Sequence, residues 1–139
     1  MHTYTFTVRG NQEKPDGNPI PYFRTTQKSL WAPQAQRYFA FKEHIVTALL
    51  TALPEHRAVF DRELVTKGKP LTLAPGEIAF VDIAIHWAPK GTHGDPDNIF
   101  KAVNDALFND DRNVYGSMKP GQPLGYGQID IKVSIYPPL

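Results

Sequence analysis

The strongest constraint on the fold lies in residues 78–108, where a two-residue hydrophobic period gives way to a helical one across a single Pro/Gly-rich break. In Ile78–Trp87 the side chains of Val81, Ile83, Ile85 and Trp87 share one face, which predicts a strand. Ala88–Gly94 is a loop, and the period then changes. From Asp95 to about Phe108, Ile99, Val103, Ala106 and Leu107 form an apolar stripe at helical spacing. Asp95 suits the N-cap and Pro96 the first helical position. Two further alternating segments supply partners for the strand. Thr3–Val8 places Tyr4, Phe6 and Val8 on one face, and Gln128–Tyr136 does the same with Ile129, Ile131, Val133 and Ile135.

Between these segments the chain predicts a long helix from Pro33 to about Leu53, carried by Tyr38, Phe41, Ile45, Leu49 and Leu53 and ended by Pro54. A short second helix is expected within residues 55–66. Residues 9–28 are rich in Gly, Pro, Asn and Gln, show no periodicity and read as a long loop, made basic by Arg9, Lys14, Arg24 and Lys28. Asn109–Asn113 reads as a turn, and Gly116–Gly127 as a long connection. Tyr4, Phe6, Trp31, Tyr38 and Phe39 are expected in the core rather than as base-stacking platforms, and Trp87, closer to the acidic cluster, fits either reading. Residues 1–139 are thus expected to form one α+β domain, a mixed β-sheet packed by helices.

Composition excludes several classes. A hydrophobic content of 41% in 139 residues describes a folded domain, not a disordered tail. No apolar run approaches 18 residues, and Met1–Gly10 lacks the basic-then-apolar pattern of a secretory signal, so no membrane association is expected. Cysteine is absent, which removes disulfides and thiolate metal sites and fits the cytoplasm. The net charge of +1 is uneven: residues 1–70 carry ten Lys/Arg against six Asp/Glu, and residues 71–139 five against eight. A basic half beside an acidic half suits separate phosphate-backbone contacts and metal chemistry, and equally an ordinary solvated surface.

The acidic half is concentrated. Asp95, Asp97, Asp105, Asp110 and Asp111 fall within seventeen positions, with Lys101 among them. Like charges at this density repel and raise one another's pKa, unless a cation completes the site. Hard oxygen ligands spaced by one residue, followed by a second acidic pair, suit Mg²⁺, with Mn²⁺ as a substitute. Taken singly, Asp95 is also explained as a helix cap, Asp97 as a first-turn acid favoured by the helix dipole, and Lys101 as a surface ion-pair partner of Asp97 or Asp105. His86 and His93 flank the cluster, but neither H-x-E nor H-E-x-x-H spacing occurs.

The order strand, loop, Asp95-x-Asp97-Asn98, Lys101, Asp105-Ala106-Leu107 and Asp110-Asp111-x-x-Val114 resembles the RusA-like Holliday-junction resolvases, the crossover-junction endodeoxyribonucleases. The resemblance is strongest over residues 78–135. It implies a small homodimeric Mg²⁺-dependent endonuclease, often encoded by phages or prophages. Such an enzyme resolves four-way junctions and other branched DNA by paired nicks in recombination and repair, leaving 5′-phosphate and 3′-hydroxyl ends. The family's metal-binding acids map onto Asp95, Asp97 and Asp111, and its active-site lysine onto Lys101. Asn98 matches the motif in a supporting role, and Asp105 and Asp110 match with less defined ones. Family members often carry several arginines before the first aspartate, where this chain has Gly91, Thr92, His93 and Gly94. They also commonly have a longer connection before Asp-Asp, where only Phe108 and Asn109 stand here, so Asp111 must reach the third-ligand place through a tight turn. The alternatives are a non-catalytic protein that binds structured DNA, and another Mg²⁺-dependent phosphotransfer enzyme.

Overall fold

Four strands and two helices account for the periodic segments in a computed structural model that describes residues 1–52 and 70–139. The elements run β1 (His2–Arg9), α1 (Pro33–Ala52), β2 (Ile78–His86), α2 (Pro96–Leu107), β3 (Val114–Pro120) and β4 (Gln128–Tyr136). The helix expected within 55–66 lies outside the described residues.

The sheet order is β1-β4-β2-β3. β4 pairs antiparallel with both β1 and β2, and β3 runs parallel to β2. This is a mixed sheet with helices on one face, an α+β architecture. The strand alternation predicted from sequence sets which face is buried. Tyr4, Phe6 and Val8 from β1, Val81, Ile83 and Ile85 from β2, and Ile129, Ile131 and Val133 from β4 all point to the helical side. Against them α1 sets Phe41, Ile45 and Leu49, and α2 sets Ile99, Val103, Ala106 and Leu107, all fully or almost fully buried. Each such side chain contributes about 1.5–3 kcal/mol relative to staying exposed.

Residues 114–120 overturn an expectation. The composition of Gly116–Gly127 predicts a Gly/Pro-rich connection, yet residues 114–120 form strand β3, paired with Ala79–Ile85. The segment Val-Tyr-Gly-Ser-Met-Lys-Pro has little apolar alternation because β3 is an edge strand, half-exposed along its length. Its ladder is supplied by β2 after the α2 crossover, a long-range pairing no local pattern reports. Edge strands also tolerate Gly and Pro. Gly116 is required by a close approach: a Cβ there would strike the Val81 carbonyl and crowd the Phe100 ring.

Trp31 is the second departure. Tyr4, Phe6 and Tyr38 are buried as expected and Phe39 is partly so, but Trp31 is 81% exposed.

Candidate active site

Helix α2 carries the acidic motif and begins as the sequence requires. Asp95 adopts an extended backbone, and its Oδ1 accepts the Asp97 amide at 2.9 Å, an N-cap followed by Pro96 at the first helical position. The main chain of the same turn is anchored from outside, because the Tyr22 amide donates to the Asn98 carbonyl at 2.9 Å. The basic loop is thereby pinned to the first turn of α2.

Three of the five acids hold the structure together. Asp95 is the cap. Asp105 accepts the Tyr38 hydroxyl at 2.6 Å and Lys42 Nζ at 3.0 Å, tying α1 to α2. Burial, reinforced by that carboxylate, pushes the Tyr38 phenol far above its ordinary value, so it stays protonated and donates. Asp110 is clamped by the Arg112 guanidinium, at 2.9 Å from Nε and 2.6 Å from Nη2. Those hydrogen bonds hold its pKa below the usual carboxylate value. Lys101 is not the partner of Asp97 or Asp105. Among the described residues the side chains of Asp97, Lys101 and Asp111 make no ion pair or hydrogen bond.

Lys101 and Asp111 line one cavity of about 760 Å³ together with Asp105, Asp110 and Asn104. Tyr22 closes one side of it. Asn104 Oδ1, in the wall, is buried without a hydrogen-bond partner, an open acceptor beside the lysine. Asp95 and Asp97 are not in that lining. Asp97 lies one helical turn before Lys101, so Lys101 stands between the acids of the helix start and those of the cavity.

Among the described residues no three His, Asp or Glu side chains are gathered as a cation cage. Leu71 donates to the Leu107 carbonyl at 2.9 Å and accepts the Asn109 amide at 3.2 Å, and the Val114 amide closes on the Asp111 carbonyl at 3.1 Å. Asp111 is thus held in the short turn between α2 and β3. The donor set still suits Mg²⁺ in its commoner mode, in which one or two carboxylates hold the ion and substrate phosphate and water complete it. Asp97 and the uncommitted oxygen of Asp95 could supply that pair.

Sequence reading missed Tyr38 and Lys42 as partners of Asp105, and Asn104 as an open acceptor. The first two lie on α1, more than sixty positions away, and only packing brings them to α2. The helical register of Asn104 with Lys101 and Phe108 was the available signal for its position.

A separate ion pair lies at the end of β2. His86 is buried, with Nδ1 2.6 Å from the Gln122 carbonyl oxygen and Nε2 2.7 Å from Asp130 Oδ2. Both partners only accept, so both ring nitrogens donate and the ring is imidazolium. Burial pulls its pKa down, but the carbonyl and the carboxylate outweigh burial and leave it raised. The stability this supplies is full below the ordinary value of about 6.5 and is lost as pH rises through the raised folded value. Urea midpoints followed from about pH 6 to pH 9 are expected to fall over that window, and to fall less in His86→Gln. Equal slopes in both proteins would remove the imidazolium from this account.

A scan against family models matches none to this chain, and a search of curated proteins finds no similar sequence. Among the described residues no helix is long and apolar enough to cross a membrane.

Proposed function

We propose that the chain is a Mg²⁺-dependent, structure-specific endodeoxyribonuclease that nicks branched DNA in recombination and repair, acting as a homodimer on four-way junctions. One observation supports this reading above the others. Among the described residues, Asp97, Lys101 and Asp111, three of the four residues that the resolvase resemblance marks for catalysis, are the charged side chains of the motif left without a structural partner. The acid next to Asp111, Asp110, is occupied by Arg112, which favours Asp111 as the functional member of the pair.

In this reading Asp97 and Asp95 hold the cation, which supplies an activated water and charge neutralisation on the scissile phosphate. Asp97 lies in the first turn of α2, at the end of the helix dipole that favours negative charge. Lys101 reaches the phosphate oxygens from one turn further on and offsets the charge that develops on them. Asp111 faces the same cavity as Lys101, where it orients the lysine or takes a ligand position once phosphate is present. A two-fold dimer presents two such sites to opposing strands.

The test is incubation of the protein with a synthetic four-way junction, with and without Mg²⁺. Paired nicks that require Mg²⁺ are expected. Tight junction binding with no metal-dependent cleavage would favour a non-catalytic DNA-binding protein, for which the capping role of Asp95 and the ion pairs of Asp105 and Asp110 are sufficient explanation. Nucleotide turnover without DNA cleavage would favour a different phosphotransfer enzyme.

A further inference from the structure

A tryptophan that is 81% exposed stands out, because Trp is among the more buried residue types on average. Trp31 is not on a loose end. It sits on a turn built by the Ser29 amide donating to Thr26 O at 3.1 Å and the Ala32 amide to Ser29 O at 3.0 Å. The Gln36 side chain caps the turn by donating to Leu30 O at 2.9 Å, joining it to the first turn of α1. The indole is therefore displayed on a fixed support with its apolar surface in water. Leu30 beside it is also exposed, at 39%.

The surroundings are cationic. Lys28 lies within the same turn, three positions from Trp31 and so within about 11 Å of it by chain length. Arg24 lies just before the turn. Both are exposed, and neither makes an ion pair or hydrogen bond among the described residues. By contrast, Arg9, Arg37 and Lys42 on neighbouring elements are matched by Asp16, Glu13 and Asp105. The same segment begins at Tyr22, which lines the cavity of Lys101 and Asp111 and is pinned to α2 at Asn98.

We infer that Trp31, with Arg24 and Lys28, forms a lip that stacks an unpaired base of single-stranded DNA while the two cations hold its phosphates. An exposed indole offers a π-face that any base fits, and two unpaired cations beside it match the backbone charge of a strand whose bases have left the duplex. Duplex DNA presents phosphates but no free base face, so the lip discriminates open from paired DNA. Its place beside the acids gives it a role in branch selection only if the nuclease reading holds; the stacking itself does not depend on cleavage.

Two tryptophans are present, and Trp87 is stacked on His93 with ring centroids 4.6 Å apart. A Trp87→Phe background therefore isolates the emission of Trp31. The full chain, in EDTA, is titrated with a short oligothymidylate, with a duplex of matched length and with a four-way junction. Quenching of Trp31 by the single strand and the junction is expected, with little by the duplex. Trp31→Ala should weaken single-strand and junction binding about thirtyfold, the middle of the range for one stacked base, and leave duplex binding unchanged. Trp31→Phe should restore most of the loss. Removing Arg24 and Lys28 together should lower the salt dependence of single-strand binding by about 1.4 in log–log slope. Unchanged emission at saturating oligothymidylate, or equal affinity in Trp31→Ala, overturns the inference. So does a Trp31→Ala protein that merely changes from dimer to monomer in sedimentation, since the indole would then be a contact between copies. Quenching without junction cleavage would leave the lip standing and remove the nuclease.

Discussion

Asp97→Asn is expected to abolish junction cleavage while preserving, or tightening, junction binding. Asparagine keeps the size of the side chain but withdraws the charge through which it would hold the cation that generates the nucleophile. The loss in single-turnover rate should be roughly 10³-fold or more, at the upper end of what one electrostatic element of a transition state supplies. Binding should not suffer, because removing a carboxylate near phosphates lowers repulsion. Asp97 is the informative position, and Asp95 is not. The Asp95 carboxylate accepts the Asp97 amide as the cap of α2, so replacing it also costs about 1 kcal/mol of helix stability. Among the described residues the Asp97 side chain has no partner, and its loss removes only the favourable dipole contact, about 0.3–1 kcal/mol. Gel-shift titration and cleavage on the same preparation decide the matter. Lost binding at an unchanged melting temperature would mean that this acid serves the architecture of the DNA-binding surface and not a metal.

Lys101→Ala should cut the cleavage rate by roughly 10²-fold or more, comparable to withdrawing one donor from a developing oxyanion. Its effect on folding should stay within about 1 kcal/mol, since Lys101 is exposed and holds no ion pair among the described residues. Alanine is also the best helix former, so α2 persists. The contrast with Lys42 is useful. Lys42 bridges α1 to Asp105 at 3.0 Å, and replacing it should disturb packing more than chemistry. Near-normal single-turnover cleavage by Lys101→Ala would return this lysine to the solvated face of the helix. A large drop in its unfolding midpoint would make it structural after all.

Much of the fold and part of the site were legible in the linear chain. Strand alternation in Thr3–Val8, Ile78–Trp87 and Gln128–Tyr136 specified which face is buried, because a period of two leaves only one choice once a core exists. The limits of α2 were legible from Asp95, Pro96 and the apolar stripe, since capping is a local hydrogen-bond problem solved within a few residues. The acids and Lys101 were visible as a cluster because α2 and the turn after it are contiguous in sequence.

What required the tertiary structure was everything set by contacts between distant segments. β3 exists because the α2 crossover lays Val114–Pro120 beside β2, and its own sequence carries no strand period. The occupation of Asp105 by Tyr38 and Lys42 depends on how α1 packs on α2. The turn that carries Asp111 is set by Leu71 bridging Leu107 and Asn109. Trp31 read as core because apolar residues are more often inside, but that rule gives only a tendency. Whether an aromatic at the start of a helix faces inward depends on where the preceding turn aims it. In this chain the Thr26–Ser29 turn leaves Trp31 in solvent, a few residues after the exposed Arg24 and Lys28.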